Sequence, residues 1–592
     1  MPFGAQFGPG ATRFRLWAPA CERVRLEVGA RTGARALEMR PAAGGWHEIE
    51  VPGVKAGSEY AFQVAEGKPA VPDPASRSNP RDVHARSVVV DPEAYEWRIE
   101  DWRGRPWHEA VLYELHVGTF TPEGTFAAAI ARLDHLRDAG ITAIELLPVA
   151  DFAGRRGWGY DGVLPFAPDA AYGPPGDLKR LIDAAHERGL MILLDVVYNH
   201  FGPDGNHLRA YAPQFFNERH QTPWGAAINF DGGEARTVRD FFVHNALYWI
   251  EEYRFDGLRL DAVHAIADDS PTHIVSEIAE AVARGPGLER QVHLVLENDD
   301  NSAALLGAGQ ATAQWNDDAH HALHVLVAGE RAGYYGDYAD APLRHLGRTL
   351  TEGFAYQGEA SRHRKGEPRG EPSSHLPPSA FIAFLQNHDQ IGNRAMGDRL
   401  TTLVAPERLA LARAVLLLSP PVPMLFMGEE YGETAPFLYF CDFHGELADA
   451  VREGRRREFA AFPEFADPAA REAIPDPNAE KTFRDSKLDW AKLNRDPHRK
   501  TLEEHRRLLA LRAREIAPRI AKGARGSFEP IGDHGLRADW DLGDGSRLHL
   551  RANFGDAPLD AGTQPGRVIH TVGKLEDARL GSWSAVFALE TG

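Results

Sequence analysis

Two patterns of hydrophobic and polar positions divide the chain. Residues 1 to about 95 alternate polar and apolar side chains in short runs such as "TRFRLWAP", "GGWHEIEV" and "SEYAFQV", separated by Gly and Pro. That period of two predicts the half-buried strands of a small β-sandwich. From Pro106 onward, continuous apolar runs of strand length alternate with amphipathic stretches of helical period. This second pattern predicts buried parallel strands that are connected by helices.

Seven apolar runs mark strands of the second region. In chain order they are "AVLYELHV", "ITAIELLPV", "MILLDVV", "FDGLRLDAV", "VHLVLEN", "FIAFLQNH" and "VPMLFMGEE". Helical stretches such as "LKRLIDAAHERG" and "RDFFVHNALYWIEEY" lie between them. About eight repeats of strand and helix predict a (β/α)8 TIM barrel. A doubly wound open sheet is the alternative, but no glycine-rich phosphate loop follows an early strand to support it.

After the last of these runs the chain changes again. Residues 437 to 520 are charged and helical, and "HGLRADWDL", "SRLHLRANF" and "SWSAVFAL" then return to strand-like alternation. We therefore expect a multidomain α/β protein with three parts. These are an N-terminal β-sandwich at 1-95, a barrel with a helical extension at 96-520 and a C-terminal β-domain at 521-592.

Composition narrows the class of partner. The formal net charge of −19 argues against a nucleic-acid or anionic-membrane surface, although it does not oppose a neutral substrate such as a sugar. The two cysteines, Cys21 and Cys441, form neither a disulfide framework nor a CxxC metal site. The N-terminus lacks an export signal, and the longest apolar run, 414–427, is broken by three prolines. A cytoplasmic protein is expected.

Charged and polar side chains follow several apolar runs where a strand should end. Arg259 and Asp261 are two positions apart, so they should emerge on the same face. Taken alone, they could be an ordinary ion pair at a strand edge. In a β/α barrel, however, the chemistry lies at the C-terminal ends of the strands. The side chains at those ends are Asp195, Asn199, His200, Arg259, Asp261, His264, Glu297, Asn387, His388, Asp389 and Arg394.

Converging carboxylates indicate a type of reaction. Like charges in a desolvated cleft raise one another's pKa, and glycoside hydrolysis uses one ionised and one protonated carboxyl group. We expect Arg259 to keep Asp261 ionised, as a nucleophile must be. Glu297 has no basic neighbour in "LVLENDD", and it is therefore the candidate for a raised pKa and for proton donation.

These segments resemble the four sequence regions of the α-amylase family of glycoside hydrolases, and the resemblance covers residues 106 to about 520. It implies that Asp261 is the nucleophile, Glu297 the general acid/base and Asp389 the stabiliser of the transition state. It also implies a set of residues around the attacked glucose. These are Tyr160, which would stack on the ring, and His200, Arg259 and His388. His264, Asn387 and Arg394 are further candidates for substrate binding. Asp195 matches an acid that supports the barrel.

Other segments are similar to one branch of that family. An N-terminal sandwich, here like a carbohydrate-binding module, also occurs in branching enzymes, isoamylases and trehalohydrolases. "PDPASRSNPRDVHARS", "AQWNDDAHHALHVLVAGERAGYYGDY" and "QNHDQIGNR" resemble the trehalohydrolases. "GFAYQGEAS" is similar too, so Phe354 and Tyr356 are candidate sugar contacts, with loop packing as the alternative. The resemblance implies a retaining hydrolase that cuts the α-1,4 bond next to the terminal trehalose of maltooligosyltrehalose.

Two alternatives remain at this point. A 1,4-α-glucan branching enzyme shares the first half-reaction but passes the glucan to a sugar hydroxyl. A non-catalytic glucan-binding protein would keep the barrel, although such proteins lose one or more of the three acids, and all three are present here. The substrate implied by resemblance is an α-glucan oligosaccharide, and a maltooligosyltrehalose synthase is the expected pathway partner. No nucleic acid or membrane is expected to bind.

No cofactor or metal is expected. Asn199 matches a calcium ligand of classical amylases, but the loop after it is short and carries few acids. An amide that fixes the loop is therefore the favoured interpretation. "DDAHHALH" contains ligand-type side chains, with His320 and His324 four positions apart, but it has no HExxH pattern. Hydrogen bonding within the barrel wall is the favoured interpretation of these histidines.

Overall fold

Eight parallel strands close into a barrel at the centre of the structure, a computed structural model that describes residues 1–591. We number them β1 to β8 in chain order: Leu112–Leu115, Ala143–Leu146, Met191–Val196, Gly257–Leu260, His293–Leu296, Ala313–Trp315, Phe381–Phe384 and Val422–Phe426. Pairing of β8 with β1 completes the ring. The prediction of a TIM barrel is confirmed, and the open-sheet alternative is wrong.

All residues of the eight strands are buried, as expected for parallel strands covered by helices outside and by side chains inside. The sixth strand, β6, has only three residues and did not stand out as a separate apolar run.

The α-helices, which include those around the barrel, are Val117–Phe120, Phe126–Ile130, Leu133–Ala139, Pro175–Glu187, Ala235–Glu251, Ile274–Arg284, Asp317–Ala328, Pro342–Thr351, His388–Gly392, Leu400–Leu403, Pro406–Leu418, Gly445–Glu458, Pro468–Glu472, Glu480–Asp485, His498–Glu515 and Ala517–Ile520.

The barrel interior has an apolar floor and a charged layer above it. Leu112, Ala143, Leu193 and Val295 belong to one apolar cluster, and the sequence position two residues after each of them holds an acid. Side chains two apart on a strand share a face, so these acids also point inward. We call the resulting set the charged layer; its members are Glu114, Glu145, Asp195, Arg259 and Glu297. The layer lies at the C-terminal ends of the strands.

Antiparallel sheets lie before and after the barrel in the chain. The N-terminal strands are Ala11–Trp17, Arg25–Val28, Arg35–Glu38, Arg40–Ala42, Trp46–Pro52, Glu59–Gln63 and Ser87–Val88, in sheets of three and four strands. The C-terminal strands Ala524–Ile531, Gly535–Leu542, Arg547–Asn553, Arg567–Val572 and Ser584–Glu590 form a five-stranded sheet, beside a small sheet of Leu559–Asp560, Leu575–Glu576 and Arg579–Leu580. The predicted β-domains on both sides of the barrel are therefore present.

Three short antiparallel pairs lie in the connections between barrel strands. They are Ala150–Asp151 with Leu164–Pro168, Phe216–Thr222 with Gly225–Ile228, and Glu359–Ala360 with Pro368–Arg369. Within residues 1–591, no helix combines the length and the apolar character needed to cross a bilayer.

Candidate active site

The three acids named from the sequence lie at the ends of three barrel strands. Asp261 directly follows β4 and Glu297 directly follows β5. Asp389 lies in the short helix His388–Gly392, which follows β7. The C-terminal ends of the strands open at one mouth, so the fold places all three carboxylates at the same end of the barrel.

Arg259 joins Asp195 of the charged layer to Asp261. Its Nη1 lies 2.7 Å from Asp195 Oδ2 and 2.7 Å from Asp261 Oδ1. Its guanidinium carbon lies 4.1 Å from the ring centre of Trp315, which covers one face of the group. Arg259 is completely buried, and an arginine stays charged there because of its high pKa. The predicted contact with Asp261 is present, and Asp195 shares the same cation.

Asp261 receives a second donor from the loop after β3. Asn199 Nδ2 lies 2.8 Å from Asp261 Oδ2 and 3.1 Å from its main-chain oxygen. The amide oxygen of Asn199 faces His200 Nδ1. Because both ends of the amide bind protein groups, Asn199 fixes the loop and the nucleophile candidate together, and the calcium interpretation finds no support.

Glu297 is held by the backbone beside Asp261. The N–H of Ala262 donates to Glu297 Oε2 at 2.6 Å. Ala262 has a φ of 40°, a left-handed conformation that is strained for a residue with a side chain. In this conformation the N–H faces the acid, and the hydrogen bond links the ends of β4 and β5.

The protonation of Glu297 follows from burial, but its surroundings differ from the prediction. Burial raises the pKa of Glu297, and this effect outweighs the opposing effect of Arg259. Glu297 has no basic neighbour in the sequence, but it has one in the folded protein, because Arg259 Nη2 lies 3.8 Å from its Oε2. The carboxyl group therefore keeps its proton to a higher pH than an exposed glutamate does.

His388 is clamped by an acid of the first barrel strand. Its Nδ1 lies 2.5 Å from Glu114 Oε1, and its main-chain N–H donates to Glu114 Oε2 at 3.1 Å. Nε2 lies 3.5 Å from Asp389 Oδ1. The ring stacks on Tyr160 at 5.1 Å, and the Tyr160 hydroxyl donates to Asp195 at 2.6 Å.

The charge of His388 is set by two opposing effects. Burial lowers its pKa, but the negative charges of Asp389 and Glu114 outweigh burial and raise the pKa to about 9. His388 is therefore an imidazolium cation at neutral pH. A cation with hydrogens on both ring nitrogens can donate to Glu114 and to a sugar oxygen at the same time.

Stability should depend on pH through His388. The folded pKa of about 9 exceeds the unfolded value, so its contribution is complete below about pH 6.5 and is lost as pH rises through 9. The difference in unfolding free energy between wild type and His388→Asn should shrink by about 3 kcal/mol from pH 6 to pH 10. Urea unfolding of both proteins at each pH measures it, and a pH-independent difference would refute the charged state.

Asn387 has a structural position. It is the N-cap of the helix His388–Gly392, and its side chain accepts from the N–H groups of Asp389 at 2.9 Å and Gln390 at 3.2 Å. The residue is buried. It therefore fixes the direction of Asp389, and a role as a direct sugar ligand finds no support. The Asp389 carboxylate is 43% exposed, which leaves it open to the cleft.

Three other predicted residues, His200, His264 and Arg394, make their closest side-chain contacts with residues other than the three acids. His200 stacks on Trp224, with ring centres 4.4 Å apart and planes within 7°, and burial lowers the pKa of His200. His264 is exposed, and its Nδ1 accepts from the N–H of Asp299 at 3.2 Å. Arg394 forks onto Glu330 at 2.8 and 2.9 Å, so each of its two Nη atoms binds a carboxylate oxygen of the protein.

The positions of Phe354 and Tyr356 favour the alternative of loop packing over sugar contacts. Phe354 is completely buried and packs edge-on against Phe381. Tyr356 is buried as well, and its hydroxyl donates to the main-chain oxygen of Asp337 at 2.7 Å. Both side chains thus pack against protein groups in and around the loop.

Two of the three histidines in "DDAHHALH", His320 and His324, hydrogen-bond to protein groups. His320 Nδ1 and Nε2 lie 2.6 Å from Leu385 O and 3.0 Å from the Tyr335 hydroxyl. His324 Nε2 lies 3.0 Å from Glu330. A metal site in this segment therefore finds no support. Elsewhere, His220, Asp231 and Asp269 lie close enough to share an ion, but Arg219 already pairs with Asp231 at 3.1 Å.

Sequence reasoning missed Glu114, Trp224 and Trp315. Trp224 is 50% exposed at the turn of the hairpin over His200. Glu114 stands 274 positions before His388, and only the closed barrel brings them together.

Family models match three parts of the chain. The model "Alpha amylase, catalytic domain" matches residues 77–220, which include β1 to β3. "Carbohydrate-binding module 48 (Isoamylase N-terminal domain)" matches residues 2–94, and "Domain of unknown function (DUF3459)" matches 523–587. The sheets on either side of the barrel thus have counterparts in known families.

Known proteins resemble the whole chain. A malto-oligosyltrehalose trehalohydrolase of Deinococcus radiodurans is 42% identical over 98% of this chain and 94% of its own length. One from Saccharolobus solfataricus is 41% identical over 84% and 85%. A crystal structure from Salmonella typhimurium, described as an alpha amylase, superposes with a TM-score of 0.94 at 45% identity, covering 100% and 99%. A 1,4-alpha-glucan branching enzyme of Corynebacterium jeikeium is more distant, at 27% identity over 73% and 62%.

Proposed function

This chain belongs to the malto-oligosyltrehalose trehalohydrolases of the α-amylase family, and from that membership we propose that it hydrolyses the α-1,4 bond next to the terminal trehalose of maltooligosyltrehalose. The products are free trehalose and a shortened maltooligosaccharide. The observation that carries the proposal is the set of donors around Asp261 and Glu297. Asp261 faces Arg259 and Asn199, whereas Glu297 is buried with a raised pKa.

In the first half of the reaction, Asp261 attacks the anomeric carbon of the glucose that precedes trehalose. Glu297 gives its proton to the glycosidic oxygen, so that trehalose leaves as a neutral alcohol. A glycosyl ester on Asp261 results. Arg259 and Asn199 hold the attacking carboxylate in one orientation, which lowers the entropic cost of the step.

In the second half, ionised Glu297 takes a proton from water, and the oxygen of that water attacks the same carbon. The ester bond to Asp261 breaks, and the product keeps the α configuration after two inversions. Asp389 and the His388 cation face the sugar hydroxyls, with Tyr160 as the stacking partner of the ring. Their contacts strengthen as positive charge develops on the sugar, which is where stabilisation speeds the reaction.

We also propose how the chain is organised and where it acts. The domains are an N-terminal sandwich at 1-95, the catalytic barrel with its extension at 96-520 and a C-terminal β-domain at 521-592. The family models that match 2–94 and 523–587 support this division. The protein works in the cytoplasm, downstream of a maltooligosyltrehalose synthase that converts the reducing end of the glucan into trehalose.

Product analysis tests the function. Maltotriosyltrehalose should give trehalose and maltotriose, and amylose should gain no α-1,6 bonds by proton NMR. Asp261→Asn, treated in parallel, is the control for contaminating activities. New α-1,6 signals would assign the protein to the branching enzymes. A lack of cleavage of every α-glucan would leave a glucan-binding protein.

A further inference from the structure

Glu145 is a buried acid in the charged layer to which neither the sequence nor the proposed reaction gives a role. It lies on β2 with 1% of its surface exposed. Among residues 1–591, neither of its carboxyl oxygens has a hydrogen-bond partner. Buried polar groups are almost always satisfied, so this one needs an explanation.

The strand register places Glu145 between two other acids. Glu145 is paired with Glu114 across β1 and β2, where neighbouring strands are about 4.8 Å apart. On its other side Glu145 is paired with Leu193 of β3, and Asp195 lies two residues further along that strand. Register partners in parallel strands point to the same face, so the carboxyl groups of Glu145 and Glu114 are neighbours inside the barrel.

The charged groups around Glu145 decide whether its carboxyl group is ionised. Glu114 and Asp195 are acids, whereas Arg259 and His388 are cations. Glu114 is committed to His388 through both oxygens, and Asp195 is paired with Arg259. Both cations already have acidic partners, so an ionised Glu145 would lie beside Glu114 without a counter-charge of its own. Such a group takes up a proton.

We propose that Glu145 is a neutral carboxylic acid that shares its proton with the Glu114 carboxylate and is thereby a positioning residue for His388. Each oxygen of a carboxylate accepts at two sites, so Glu114 can bind Glu145 without releasing His388. The terminal torsion of a glutamate turns at little cost, which brings the hydroxyl of Glu145 to Glu114. With Glu145 bound on its other side, the Glu114 carboxylate is fixed and holds the His388 imidazolium in position to contact the sugar.

Two substitutions separate a neutral acid from an ionised one. Glu145→Gln keeps a neutral donor of the same shape, so kcat/KM should stay within about threefold of wild type and its pH profile should not move. Glu145→Leu removes the donor, and kcat/KM should fall about tenfold. Glu114→Gln is the positive control. It removes a negative charge beside His388, which lowers the pKa of the imidazolium, so the basic limb of the kcat/KM profile should move to lower pH.

If Glu145 were ionised, Glu145→Gln would also displace the basic limb of the kcat/KM profile to lower pH, and that result overturns the proposal. Wild-type kinetics in Glu145→Leu would overturn the positioning role. If that variant does not fold, Glu145→Met replaces it, and the profile of Glu145→Gln decides the charge state in any case. The proposal rests on the proposed function; an inactive wild type would refute that function, whereas a displaced Glu145→Gln profile refutes only the role of Glu145.

Discussion

Asp261→Asn should lower turnover of maltooligosyltrehalose by about three orders of magnitude or more while the protein stays folded, because the amide cannot form the glycosyl ester. Glu297→Gln should lose a similar factor, since it can neither donate nor accept the proton. Steady-state rates together with thermal unfolding measure both effects. Asp269→Asn, an exposed acid eight positions after Asp261, is the matched control and should keep full activity.

Azide distinguishes the two roles. On a substrate with an activated aryl leaving group, azide should restore turnover to Glu297→Ala, because it attacks the glycosyl ester without needing a base. It should not rescue Asp261→Asn, in which no ester forms. Asp389→Asn should be damaged to a similar extent, since its contacts strengthen in the transition state. Near-wild-type rates in Asp261→Asn or Glu297→Gln would refute the assignment of the acids.

Maltotriosyltrehalose should be cut with a kcat/KM about 10²-fold or more above that of maltopentaose, which has the same number of glucose units. A leaving group recognised through buried hydrogen bonds discriminates strongly, because an analogue that misplaces a hydroxyl leaves polar groups unpaired. Two or three such differences at ~1–2 kcal/mol each give this factor. Initial rates on both substrates, measured well below KM, provide the comparison.

Maltopentaitol is the matched control for this selectivity. It lacks a reducing end, as the trehalose-terminated substrate does, but it has no α-1,1 bond. It should therefore be as poor a substrate as maltopentaose. Equal rates on maltotriosyltrehalose and maltopentaose would make the protein a general amylase, even if the roles of Asp261 and Glu297 stand.

The sequence predicted those parts of the site that follow directly from strand ends. Asp261 and Glu297 end apolar runs, and the period of two gives the face they share with the barrel interior. β6 was missed because its three residues are too few to show a period. The clamp of Glu114 on His388 was missed for another reason: closure of the ring brings the first strand close to the end of the seventh, and no local pattern records that contact.

The side chains that the sequence could not assign to the cleft or to the protein interior lie in loops. Phe354 and Tyr356 lie in a segment without a regular period, so the sequence could not tell a buried aromatic from one that faces the cleft. Arg394 was named for its position near Asp389, but Glu330, which lies 64 residues earlier, binds both arms of its guanidinium. Spatial partners of this kind are supplied by tertiary packing, and they decide whether a polar side chain is free for a ligand.

The apolar floor and the charged layer limit how this barrel can change in evolution. Adding or deleting one residue inside β4 would turn Arg259 toward the surrounding helices and bring its apolar neighbours Leu258 or Leu260 inward. The same holds for the strands that carry Glu114, Glu145 and Asp195. Changes in length are therefore tolerable only beyond the strand ends, in the connections around the mouth. New substrate preferences in this lineage should accordingly arise through longer or shorter loops, while the eight strands keep their lengths.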